Sequence, residues 1–191
     1  VYYHVWDNYP YPEYNKIWYD SCDHVACISK VTHDILKNVS PDIDSFYLPH
    51  AVNTEYFKPL PLEERKVLRE KMGFEQDTFY IFWNNRNARR KQSGTLIFWF
   101  KEFLDIVGHD KAKLIMHTDP KDPNGPNLLG VIEKLDLTNG EVQFSTQKVD
   151  FTQLAALYNA SDATVNISDA EGFGLATLES LACGTPIIVN M

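Results

Sequence analysis

Between residues 79 and 189 the sequence alternates short apolar runs with stretches of helical period, and the connections between them are short. The apolar runs fall at 79–83, 112–116, 142–145, 164–167 and 187–189. The helical stretches fall at 94–107, 127–135, 149–159 and 175–183. Strands that alternate with helices in this way predict an α/β fold, a Rossmann-like doubly wound parallel sheet covered on both faces. Phe79-Tyr-Ile-Phe-Trp83 is apolar throughout and reads as a fully buried strand, while Leu154, Leu157 and Tyr158 share one helix face. A content of 44% hydrophobic and 13% aromatic residues supports a folded core over disorder.

The last unit of this pattern is the most informative. It runs Asp169-Ala-Glu-Gly-Phe-Gly-Leu-Ala-Thr-Leu-Glu-Ser-Leu-Ala-Cys-Gly-Thr-Pro186. Gly184 is placed to close the helix 175–183, and Pro186 prevents its continuation. The turn 171–174 therefore delivers a helix N-terminus to the C-terminal edge of a strand. Free N–H groups and the helix dipole favour anions there. Gly172 and Gly174 allow positive φ and close approach of backbone to a ligand. Glu171 lies in the turn. Glu179 lies about one turn into the helix and leans back toward its start, where it could accept from both hydroxyls of a ribose.

A second feature follows the first strand of this sheet. Asn84-Asn-Arg-Asn-Ala-Arg-Arg-Lys91 carries four cations, Arg86, Arg89, Arg90 and Lys91, within six residues. The chain as a whole has a net charge of −8, so this is a local basic site and no general footprint for nucleic acid or an anionic surface. Cations at a strand's C-terminal end can clamp a diphosphate and meet the charge that builds as it departs.

Glu171-x7-Glu179 with Gly-Phe-Gly-Leu between, followed by Leu-Ala-Cys-Gly-Thr-Pro, resembles the E-x7-E donor motif of retaining glycosyltransferases of the GT-B type (glycosyl transferases group 1, family 4-like). The resemblance implies a sugar moved from a nucleotide-diphosphate-sugar donor to an acceptor hydroxyl with retention at the anomeric carbon. Arg86 and Lys91 match the family's cations by spacing, with Arg90 the near alternative to Lys91. The N–H groups of Gly172, Phe173, Gly174 and Leu175 would hold phosphate and sugar, Glu179 the ribose, and Glu171 the sugar near its anomeric centre. The family also has a His at the end of an N-domain strand that contacts the donor sugar. His4 has that placement, and an ordinary strand histidine fits equally well; Asp7 and Asn8 just beyond could share the cleft. The segment 49–59 resembles the family's Pro-x-Gly-Val-Asp…Phe-x-Pro interdomain stretch, with Ala51 and Asn53 in place of its glycine and aspartate. It reads as a linker strand with Phe57 docking.

The implied division is residues 1–48 as the C-terminal part of an N-terminal, acceptor-side Rossmann-like domain, and residues 49–191 as a nucleotide-sugar-binding domain truncated at its C-terminus. The lack of an initial Met and the end just after a strand read as a piece cut from a longer protein, lacking the remainder of its own N-domain. A glycan, lipid or small-molecule acceptor all fit. No metal and no tightly bound cofactor are expected, since two cations and a helix end can carry the diphosphate charge. Asp42-Ile-Asp44 lies in a loop and reads as a solvated turn. Cys22, His24 and Cys27, with His33 nearby, span a helix end running into a strand, where their side chains diverge and a zinc site is not expected.

Three cysteines with no disulfide framework, no signal peptide and no membrane-length apolar run predict a cytoplasmic protein. The competing readings are a non-catalytic nucleotide-sugar-binding module and a GT-B relative such as a phosphorylase or a sugar-nucleotide epimerase. A phosphorylase would need a cofactor lysine motif that is not seen. The absence of G-x-G-x-x-G after any strand disfavours a dinucleotide oxidoreductase.

Overall fold

A computed structural model describes residues 1–6 and 11–190. The chain forms two compact units, Val1–Ala51 with Ala170–Leu175, and Val52–Asp169 with Ala176–Met191.

In the first unit β1 (Tyr2–His4), β2 (Val25–Cys27) and β3 (Ser45–Tyr47) form a parallel sheet in the order β1-β2-β3. A short 3-10 turn (Glu13–Asn15) leads into α1 (Lys16–Asp20). α2 (Lys30–Val39) begins at a capping box, in which the Ser29 side chain accepts from the Thr32 N–H and Thr32 Oγ1 accepts from the Ser29 N–H. Tyr19, Val25, Cys27, Leu36 and Val39 make its core. Phe173 of the returning segment meets the His50 ring edge-on at 5.3 Å. Asp7 and Asn8 lie outside the described residues.

The second unit opens with α3 (Leu62–Lys71). The rest is β4 (Phe79–Asn84), α4 (Ser93–Val107), β5 (Ala112–His117), α5 (Leu128–Lys134), β6 (Val142–Ser145), α6 (Phe151–Ala160), β7 (Ala163–Asn166), α7 (Leu175–Ala182) and β8 (Ile187–Val189). Its five strands are parallel, in the order β6-β5-β4-β7-β8. The period of two divides each strand between the faces. Ile81 and Trp83 face α4 and α5 with Leu114 and Met116, whereas Tyr80 and Phe82 face α6 with Ile115 and Phe57. Full burial of a side chain such as Phe82 contributes about 1.5–3 kcal/mol.

Two expectations need correction. β4 is not buried throughout, because Phe79, at its entry on the sheet's rim, is 43% exposed. Segment 49–59 docks Phe57 as expected, but it forms a turn and no strand: the Phe57 N–H donates to the Asn53 carbonyl, and the Asn53 side chain accepts from the Glu55 N–H. His117 ends β5 in register with Ser145, whose hydroxyl lies 2.9 Å from its Nδ1.

The helix closure at Gly184 follows the Schellman pattern. Gly184 takes φ 73°, its N–H donates to the Leu181 carbonyl, and the Thr185 N–H donates to the Ser180 carbonyl. At the start of β7, Asp162 accepts from Arg65, Arg69 and the Tyr80 N–H, which ties α3 to the sheet.

Candidate functional site

The strand order places the site. Strands β4, β5 and β6 run outward on one side, and β7 and β8 on the other, so the order reverses between the neighbours β4 and β7. Loops leaving the C-terminal ends of two such strands diverge and leave a crevice, the usual ligand position in an open α/β sheet. The basic loop leaves β4 at this point and segment 167–169 leaves β7; the Glu171–Gly174 turn that follows in the chain belongs to the first unit.

The two strand ends are tied together within the second unit. Gln92, at the start of α4, is left-handed with φ 56°. That conformation costs a non-glycine residue energy, offset here by three side-chain bonds. Its Nε2 donates to both carboxylate oxygens of Asp169, at 2.9 and 2.8 Å, and its Oε1 accepts from the Thr95 hydroxyl. The Asp169 N–H in turn donates to the Arg90 carbonyl at 2.8 Å. Ser168 is fixed to Asn166 Oδ1, and Asn166 Nδ2 donates to Thr177 of α7.

The loop after β5 braces the basic loop from the other side. Asn87 is fully buried, donating to the Pro126 carbonyl and accepting from the Ser93 hydroxyl. The Arg89 N–H donates to the Asn124 carbonyl. Arg86, two residues past β4, donates from Nε to Asp122 Oδ2 at 2.7 Å and from Nη2 to Oδ1 at 3.4 Å. The Arg86 hydrogen bond, followed by those from Asn124, holds the Asp122 carboxyl well below the usual carboxylate range. Arg89 and Arg90 are exposed, whereas Lys91, in the 3-10 turn Arg89–Lys91, is buried.

Glu179 sits on α7, half-buried. The Tyr158 hydroxyl donates to its Oε2 at 2.7 Å, and Asn84 Nδ2 reaches the same oxygen at 3.4 Å. Among the described residues no protein hydrogen bond is recorded to its Oε1. Burial pushes the Glu179 carboxyl up, against the lowering effect of the two donors. Burial likewise pushes the Tyr158 phenol far up, so it stays a donor. Of the two turn glycines, Gly174 takes the left-handed conformation, φ 82°. Leu175 then opens α7.

His4 belongs to the first unit. It ends β1 and is 1% exposed, its Nδ1 lies 3.1 Å from the Tyr19 hydroxyl, and its buried Nε2 has no hydrogen-bond partner among the described residues. Burial lowers its pKa to about 4, so the ring is neutral at pH 7.

Sequence reasoning singled out the cations and the two glutamates but missed the side chains that hold them. In the sequence pattern Asn84 only opens the basic loop, and Tyr158 shows only as part of an apolar helix face. Gln92, Asp122 and Asp169 carried no signal beyond lying in polar loops. Among the described residues no group of His, Cys, Asp and Glu is arranged to hold a metal ion. His24 instead pairs with Asp44 at 2.7 Å. No described helix is long and apolar enough to cross a membrane.

A family model described as Glycosyl transferases group 1 matches residues 64–191. Among curated proteins the chain is similar to alpha-monoglucosyldiacylglycerol synthase of Streptococcus pneumoniae, with 28% identity over 173 residues, covering 88% of this chain and 37% of that protein. Among solved structures it is similar to sucrose-phosphate synthase of Thermosynechococcus elongatus, with a TM-score of 0.78 and 25% identity over 92% of this chain and 42% of that one. HepE of Anabaena, solved with UDP and glucose, shares the fold with a TM-score of 0.80, at 17% identity over 99% of this chain and 52% of that one. The chain spans about two fifths of the length of the curated relatives it matches.

Proposed function

The chain belongs to the glycosyl transferases group 1 family, with the α/β architecture of GT-B glycosyltransferases, and from that premise we propose that it carries the donor site of a retaining glycosyltransferase. The donor is a nucleotide-diphosphate sugar, and the sugar passes to an acceptor hydroxyl with its anomeric configuration kept. A glycan, a lipid or a small molecule can supply that hydroxyl.

The observation that carries this reading is the meeting of the two strand ends at the point where strand order reverses. The basic loop and segment 167–169 leave from neighbouring strands and are joined by Gln92–Asp169 and by Asp169 N–H to the Arg90 carbonyl. In the proposed reaction Arg86, with Lys91 or Arg90, meets the charge that grows on the departing diphosphate. N–H groups from Gly172 to Leu175, at the start of α7, hold phosphate and sugar. Glu179 takes the ribose hydroxyls, with Oε2 held by Tyr158 so that the carboxylate is oriented before ligand arrives. Glu171 faces the sugar and stabilises positive charge at its anomeric carbon. Protein cations carry the diphosphate charge, so the proposal needs neither a metal nor a resident cofactor. The three cysteines are free thiols, which suits the reducing cytoplasm where we place the reaction.

A thermal-shift titration against UDP, GDP, ADP, TDP and CDP without metal tests the donor site. A ligand at 100 times its Kd should stabilise the protein by about 2.7 kcal/mol. One diphosphate should shift the wild type and lose most of its effect on Glu179→Ala. No shift with any of the five, or an equal shift in the variant, would remove the assigned ribose site. Binding without sugar transfer in the presence of acceptor would favour a nucleotide-sugar-binding module.

A further inference from the structure

Arg86 is already occupied by an anion. Its guanidinium sets Nε and Nη2 against the two oxygens of Asp122, the fork arrangement with which arginine grips carboxylates and phosphates alike. The partners are unequal. The Arg86 side chain is 66% exposed, while that of Asp122 is 11% exposed. Asp122 is also fastened by its own loop, accepting at Oδ1 from the Asn124 N–H at 2.9 Å and from Asn124 Nδ2 at 2.8 Å. If Arg86 leaves, Asp122 keeps these two donors and is not stranded as a bare buried charge, which is what makes most broken ion pairs costly. The pair is therefore built with one fixed anion and one movable cation.

We propose that Asp122 is an intramolecular counter-ion for Arg86 that competes with the donor's diphosphate and so sets the affinity of the site. This rests on the donor-site reading above. Asp122 touches no reacting atom and acts through Arg86 as a positioning residue. Without ligand it holds the long arginine at the end of β4. A nucleoside diphosphate, with more negative charge than one carboxylate, draws the guanidinium away. Release of the leaving diphosphate after transfer is helped by the reverse exchange.

The experiment is isothermal titration of the 191-residue chain with UDP, GDP and ADP, on wild type, Arg86→Ala, Asp122→Asn, Asp122→Glu and the double variant Arg86→Ala/Asp122→Asn. Asn at 122 still offers an oxygen to Asn124, and a thermal melt checks that the loop is intact. Arg86→Ala should weaken the diphosphate that binds. Asp122→Asn should tighten it about three- to fivefold, the scale of an exposed ion pair. Asp122→Glu should stay near wild type, and Asp122→Asn should have no effect once Arg86 is gone. Equal tightening with and without Arg86 would make Asp122 a mere negative charge near the site and overturn the proposal. Unchanged or weaker binding in Asp122→Asn, with Arg86→Ala still harmful, would overturn the competition and leave the donor site standing. No effect of Arg86→Ala would remove the clamp, and the proposal with it.

Discussion

The hydroxyl of Tyr158 on α6 donates to Glu179 Oε2 on α7 at 2.7 Å, so two successive helices of the second unit are joined at a carboxylate of the candidate site. Tyr158 is also a core residue, 1% exposed, whose ring packs edge-on against Phe82. The core thereby aims the carboxylate.

Tyr158→Phe keeps the packing and removes the donor. Glu179 is then left with the long bond from Asn84, and the fold should lose about 1–3 kcal/mol. Chemical denaturation measures this. The burial that already raises the Glu179 pKa would act with less opposition, so the carboxyl should move further up. Unchanged stability would mean that the phenol bond merely replaces a bond to water.

Gly125→Ala tests whether the loop after β5 shapes the basic loop. A Cβ at this position would collide with Asn87, both at its side-chain oxygen and at its backbone carbonyl. Asn87 is fully buried and bonded on both sides, so it cannot step aside. The variant should be destabilised by about 1–3 kcal/mol, as overpacked sites are. It should also bind nucleoside diphosphate more weakly, because Arg86 and Arg89 flank the displaced residue. Wild-type affinity measured by titration would separate the two loops functionally.

His4 predicts an acid limb in stability. Burial lowers its pKa from 6.5 to about 4. The unfolded chain therefore binds a proton between those values and the folded chain does not. The contribution is present in full above pH 6.5 and falls away as pH drops toward 4, with a total of about 3 kcal/mol. Denaturation midpoints of the wild type and His4→Gln, compared from pH 7 to pH 4.5, should converge as the pH falls. A constant gap between them would show that His4 does not titrate in this way.

Local chemistry accounts for much of the fold without reference to long-range contacts. Ser29 before an amphipathic run is a cap wherever it occurs, and Gly184-Thr-Pro186 can only end a helix. Side-chain period distributed Tyr80 and Phe82 to one face of β4 and Ile81 and Trp83 to the other. The cations of the β4 loop and the Glu171–Glu179 spacing were likewise visible, because chemistry of that kind is carried by residue type and short-range order.

Pairings across long stretches of sequence were not visible, since spacing says nothing about which polar side chains a crossover will bring together. Gln92 meets Asp169 across 77 residues, Arg86 meets Asp122 across 36, and Tyr158 meets Glu179 across 21. Each of these depends on the strand order β6-β5-β4-β7-β8, which puts the first and fourth strands of the sheet side by side. The sequence by itself determined the elements, their caps and the charges available. Only the tertiary structure decided which of those charges are held, by what, and how firmly, because a hydrogen bond's partner is set by packing in space and not by distance along the chain.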